Sequence, residues 1–393
     1  MSNRLPVRPN LQQLKHQAKD LLRNMRKTDA SAKLADAQLA LARSYEAPSW
    51  PRLVQACELI DAIWRDDVDA VKKLVLRNPK LLHEDATIRK SNWGPPMSYA
   101  ANLGRDRIIR MLYELGATDL ESALDRATLQ SQIETARMLH DWMGAPRPPE
   151  GALGGPAYTL SVSGTALMLE LGAGVHDAPV HVVLETDSRN PAAKHEIIEL
   201  YVKHGFALPD TPAMALHRGR IDLLEEHLRR DPGLLERTFA HEEIYPPELG
   251  CHDEVLATHG TPLAGATLLH MCADYDEIDI ARWLLERGMN VDAKAAVDAE
   301  GFGGHTALFA TVVSQPNFWI NHWQKPDEAP FTRLLLEHGA DPNARASLRK
   351  QLHPGYGENT LHEYRDVTPL LWGERFHNQK FVSRAAMRRI AGQ

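Results

Sequence analysis

Cysteine is scarce in this chain: Cys57, Cys251 and Cys272 are scattered over 393 residues with no Cys-x-x-C spacing. That pattern argues against a disulfide framework and against a structural zinc site. No apolar run reaches the length needed to span a membrane, and residues 1–10 hold no signal-peptide core, so a cytoplasmic chain with no membrane partner is expected. Positive charge is in deficit as well, with 45 Lys and Arg against 52 acids and a net charge of -7. A general nucleic-acid binder is therefore not expected. Neither a Walker lysine after a strand nor a nucleophile–base motif can be read, and no cofactor and no metal are expected.

What the chain has instead is repetition. Ile280-Ala281-Arg282-Trp283-Leu284-Leu285-Glu286-Arg287-Gly288-Met289-Asn290-Val291-Asp292 is an apolar helix followed by a glycine turn. Thr332-Arg333-Leu334-Leu335-Leu336-Glu337-His338-Gly339-Ala340-Asp341-Pro342-Asn343 repeats it, and Ile108 to Ala117 is a less complete copy. Inner helices precede the first two of these, and a further inner string opens a last unit that closes with Ala385 to Ile390. Thr267-Leu268-Leu269-His270-Met271-Cys272-Ala273, Thr306-Ala307-Leu308-Phe309-Ala310 and Thr368-Pro369-Leu370-Leu371-Trp372 each open on a threonine able to cap a helix. A glycine after the outer helix can take the left-handed conformation that ends it.

These strings resemble the ankyrin family, whose unit runs from a Thr-Pro-Leu-His-like turn through an Ala-rich inner helix and a Val-Leu-Leu outer helix to Gly-Ala-Asp-Val-Asn. The resemblance is strongest in the C-terminal part, moderate over 56–144 and weak over 151–230. It implies an all-α ankyrin-repeat solenoid of stacked helix-turn-helix units with no extended sheet. Before the repeats, Asn10 suits the start of an amphipathic helix containing Leu11, Leu14, Ala18, Leu21, Leu22 and Met25, and a second helix is expected over 31–45. The string Leu34 to Arg43, closed by Ser49-Trp50-Pro51, is similar to a leader on bacterial ankyrin-repeat proteins. Residues 1–55 are thus expected to form a helical capping module, and 56–393 the solenoid. The first thirty residues are locally basic, with Arg4, Arg8, Lys15, Lys19, Arg23, Arg26 and Lys27 against Asp20 and Asp29. A solvated cap explains them, and a basic helix for an acidic partner is the sharper alternative.

The repeats are irregular. Spacings between successive inner helices exceed the family period of about 33 residues, and the surplus is expected as loops on one face. Insertions fall near 240–265, 297–305, 314–330 and 345–366. The first carries Glu242, Tyr245, His252, Asp253 and His259, with Pro246-Pro247 expected to forbid a helix. Its spacing fits no metal pattern. The second, with Gly301, Phe302, Gly303, Gly304 and His305, reads as a tight finger turn that brings backbone close to a neighbour or a ligand. The third holds Phe318, Trp319, His322 and Trp323, where a small covering core and a binding role weigh equally.

Two functions follow. The resemblance implies a scaffold that binds a protein or other large ligand through its concave face and fingers. On that reading the contact residues are Tyr245, His252, Tyr275, Asp276, Phe302, His305, Phe318, Trp319, His322 and Trp323. The alternative is an enzyme, hydrolase-like, on a sugar-like or other small polar substrate, with His252, Asp253, Glu242 and His305 as its candidate catalytic groups. Convergence of His252, Asp253, His305 and Trp319 on one pocket would favour the enzyme, and dispersal the scaffold.

Overall fold

The computed structural model describes residues 4–186, 188–254, 260–313, 328–351 and 359–392. The chain divides into two compact units. The first comprises 1–156 and 170–172, and the second 157–169 and 173–393.

The first unit opens with α1 (Leu11–Met25), α2 (Leu34–Ser44) and α3 (Trp50–Trp64). The Asn10 side chain accepts from the backbone N–H groups of Gln12 and Gln13, as its place before the helix predicts, and Ser49 accepts from that of Arg52. Leu14, Ala18, Leu41, Ala42, Leu53 and Cys57 form one shared apolar core, which is why the two short leading helices hold together. Then come α4 (Val68–Arg77), α5 (Pro96–Ala101), α6 (Asp106–Glu114), α7 (Leu120–Leu129) and α8 (Ile133–Trp142). The apolar face of α6, namely Ile108, Ile109, Met111 and Leu112, is buried. The proline-rich stretch from Pro146 leads without regular structure to α9 (Gly154–Tyr158), at the boundary, and to α10 (Val162–Glu170), which belongs to the second unit except for its last residue.

In the second unit the pairs are easier to trace. They run α11 (Val180–Leu184), α12 (Pro191–Lys203), α13 (Pro212–His217), α14 (Ile221–Arg230), a single turn α15 (His241–Ile244), α16 (Leu268–Tyr275), α17 (Ile278–Glu286), α18 (Ala307–Val312), α19 (Pro330–Glu337), α20 (Pro369–Arg375) and α21 (Arg384–Ile390). Short inner helices are buried all round, α16 from Leu268 to Tyr275, whereas α17 buries one stripe containing Trp283, Leu284 and Leu285. Gly288 and Gly339 follow their outer helices at φ 90° and 86°, a left-handed turn that a side chain would strain. The protein is an all-α fold of stacked helix pairs.

One local expectation needs correction. Pro246-Pro247 does not keep the first insertion irregular: α15 closes just before the pair, and Pro247–Leu249 forms a 3-10 turn that uses the prolines where no N–H is needed. Among the described residues the named strands form one two-stranded ribbon, in keeping with the all-α reading. Ala346–Lys350 (β1) and His362–Val367 (β2) pair antiparallel, so part of the 345–366 insertion is a ribbon. This ribbon continues a backbone ladder that links the fingers of successive repeats. Phe239 bridges Ala266, the Ala296 N–H donates to the Gly265 carbonyl at 2.7 Å, and the Gly303 N–H donates to the Ser347 carbonyl at 2.7 Å.

Candidate functional site

The second unit brings together most of the chemistry-bearing residues, but it divides them into two populations. One is buried and internally paired. The other lies on the surface.

The buried set is built on inner helices. Asn190 caps α12 and Pro191 occupies its first turn, which sets Lys194 into the core at 2% exposure. Its Nζ donates to Nδ1 of His217 on α13 at 2.8 Å, and the Nε2–H of His217 donates to the Ile244 carbonyl at 3.0 Å. The carbonyl accepts only, so His217 is neutral and carries its proton on Nε2. The same ammonium sits 3.9 Å from the centre of the Tyr275 ring, and the Arg189 guanidinium lies 4.8 Å from it. Arg189 donates to Asp274 at 3.1 Å, and Asp274 also accepts the backbone N–H of Gly260 at 3.1 Å. The hydroxyls of Tyr245 and Tyr275 hydrogen-bond to each other, and His195 pairs with Glu277 at 2.8 Å.

Burial dominates the electrostatics. It pulls the Lys194 ammonium down to about 7 despite the opposing pull of Glu277. Burial, with the Lys194 charge second, holds His217 well below the ordinary imidazole range. Burial raises Asp274, and Arg189 opposes that rise. Burial also lifts both tyrosines above the usual phenol range. The side chains of this cluster pair within the protein, apart from the Arg189 Nε, which is buried with no hydrogen-bond partner among the described residues. A buried polar network of this kind fixes how adjacent repeats stack.

Four of the sequence candidates belong to such internal structure. Tyr245 and Tyr275 are 1% and 2% exposed within the network just described. His305 is buried: its Nε2 hydrogen-bonds the Pro262 carbonyl at 3.0 Å, while its own carbonyl accepts from Nε2 of His270 at 2.9 Å. His270 completes the tie by accepting from the Thr267 hydroxyl at 2.8 Å through Nδ1. Burial pushes His270 down to about 4 and His305 to about 3, so both are neutral clamps between loops. Phe302 is buried beneath the guanidinium groups of Arg349 and Arg365, 4.9 and 4.3 Å from its ring centre. The finger turn approaches a neighbouring backbone, as its glycines suggest. A Cβ on Gly303 would collide with the Ala296 carbonyl oxygen.

The remaining described candidates are on the surface. His252 is half-exposed, and its backbone N–H and Nδ1 both bond the buried Glu185 carboxylate, at 2.6 and 2.7 Å. Asp253 is exposed nearby in sequence, and Asp276 is exposed in a left-handed turn ending α16. Glu242 lines a groove of about 410 Å3. Pro209 to Ala213, the end of α14 with His227 and Arg230, and a third wall of Phe239, Glu243, Pro246 and Glu248 bound that groove. Phe318, Trp319, His322 and Trp323, and His259 in the first insertion, lie outside the described residues. Among the described residues no group of three or more His, Cys, Asp or Glu could hold a metal ion.

Sequence reasoning missed the groove, and with it Asp210, Arg230 and Arg237. It also missed Lys194, Arg189 and Asp274. A lysine and an aspartate at the inner, apolar phase of helices were the available signal, because such charges are buried only when paired.

Residues 264–296 match the family model described as Ankyrin repeat. Over that stretch the chain is similar to an ankyrin repeat. The matched stretch takes in the Thr267–His270 clamp, α17 and the Gly288 turn. A solved structure, "Crystal structure of human ASB11 ankyrin repeat domain", is similar over 85% of this chain and 96% of that one, at 14% identity and a TM-score of 0.22. None of the curated proteins matches. Among the described residues no helix is long and apolar enough to cross a membrane.

Proposed function

We propose that the second unit is a binding scaffold for a protein partner, engaged through the groove beside α14 and α15. The carrying observation is the charge left over in that groove. Asp210 pairs with Arg230 at 3.0 Å and with His227 at 3.1 Å, and Glu243 pairs with Arg237 at 2.5 Å. Asp231 uses one carboxylate oxygen on the Gly233 N–H, and Glu242 and Glu248 meet no cation among the described ion pairs. The groove is large enough for side chains of another protein and presents surplus carboxylate beside the half-buried Pro209 and Pro212. A partner segment bearing lysine or arginine fits that chemistry. Ankyrin repeats generally mediate protein–protein contacts, which supports the same reading.

The enzyme reading has one observation on its side. Glu185 orients His252 as a carboxylate orients a general base, with Nε2 facing away from the carboxylate. It lacks a nucleophile in contact with that ring among the described residues, so the scaffold is the better-supported function.

A photo-crosslinker placed at Glu248 in the full chain tests the proposal. The groove predicts a salt-sensitive crosslink to a discrete protein through a Lys- or Arg-bearing peptide. Crosslinking no greater than that from an exposed control position on α19, such as Glu337, would defeat it.

A further inference from the structure

A second surface, on the first unit, has the opposite sign. Along α1, Lys15, Lys19 and Arg23 recur every fourth residue and all are exposed, and Lys27 follows at the same interval in the turn beyond the helix. That spacing puts them on one ridge, about 6 Å apart along the axis. Leu14 and Ala18, on the adjoining face, are the residues that hold the helix to the core. Arg23 pairs with Asp20 at 2.8 Å, both largely exposed, whereas Lys15 and Lys19 meet no carboxylate among the described residues. Like charges four residues apart destabilise a lone helix slightly. Here they form a row in which Lys15 and Lys19 are left without a carboxylate among the described residues, on a chain whose net charge is -7.

We infer that this ridge is a docking surface for an acidic segment of a partner protein, a helix with carboxylates at four-residue intervals. Charge complementarity selects the sign, and the equal spacing of cations selects the geometry. Between 10 and 44 there is no Phe, Tyr or Trp on which a nucleobase could stack, and the apolar side of α1 is turned into the core rather than toward a bilayer. An acidic helix needs neither feature, since its contacts are ion pairs along one line. The ridge is independent of the groove in the second unit, so either surface can fail without the other.

The test uses the full chain and a fluorescent, end-blocked peptide with glutamate at every fourth position. A control peptide of identical composition has its glutamates at irregular spacing. Anisotropy should show salt-sensitive binding of the first peptide, weaker binding of the second, and about a tenfold loss in K15E/K19E/R23E, as expected for three exposed ion pairs. Thermal melting of that variant should match wild type, and K15Q/K19Q/R23Q serves if the charge reversal perturbs the fold. Equal binding of both peptides, or equal binding by wild type and variant, overturns the inference. So does a ridge-dependent affinity for a single-stranded RNA oligomer or phosphatidylserine vesicles that exceeds the peptide's. Ridge-dependent self-association of the chain, with no peptide binding, overturns it in favour of a second copy.

Discussion

Burying Lys194 has a consequence for stability that can be measured. Its amine is held at about 7 in the folded protein, against about 10.5 when exposed. Between those values the unfolded chain binds more protons, so stability rises with pH from about 7 toward 10. Lys350, buried and lowered to about 8, adds in the same direction. Urea midpoints should therefore increase between pH 7 and about 8.5, below the range where the thiols of Cys57, Cys251 and Cys272, raised by burial, oppose the rise, and Lys194→Met should flatten it; an unchanged slope would show that the amine is hydrated. His270 and His305 act at lower pH. Their folded values of about 4 and 3 lie below the unfolded 6.5, so their contribution is complete above 6.5 and is lost as pH falls toward 4. His305→Ala should cost about 1–3 kcal/mol, because the His270–His305–Pro262 tie is buried. His270 was legible from its place in the Thr-Leu-Leu-His string. His305 was not, since nothing in a Gly-Gly-His-Thr sequence says whether the ring faces the groove or the loop beneath it.

At the scale of elements, helices were read well and surfaces poorly. The stripe of Trp283, Leu284 and Leu285 and the glycine that follows it have one cheap solution, an outer helix stopped by a left-handed turn. Leu335, fully buried on α19, obeys the same logic, and Leu335→Ala should destabilise by about 2–5 kcal/mol in equilibrium unfolding. Gly303→Ala should disturb the finger ladder, because its Cβ would collide with the Ala296 carbonyl. Slower-exchanging amides at Gly303 and Ala296 in wild type than in the variant would register that loss. The β1–β2 ribbon escaped the sequence reading because its alternation is short and interrupted by charge: Arg349 and Arg365 cover Phe302, while Arg345 pairs with Asp366 at 2.6 Å. Long cationic side chains that shelter an aromatic ring look, in sequence, like a solvated loop.

For the whole molecule, two compact units and a run of repeats imply that unfolding is not a single cooperative step. The van't Hoff enthalpy should fall below the calorimetric one. On the proposed function, recognition belongs to the exposed groove of the second unit, and the buried tyrosines and histidines near it hold the repeats together. The groove itself could not be read from sequence, because its walls come from the 209–213 turn, the end of α14 and the 237–248 stretch, and only the fold makes them neighbours. The most direct measurement is partner capture and melting temperature, side by side, for E242K/E248K and for Tyr245→Phe in the full chain. The groove variant should lose the partner while melting like wild type, and Tyr245→Phe should keep the partner and melt lower. The reverse pattern, with capture lost in Tyr245→Phe and retained in E242K/E248K, would contradict the account.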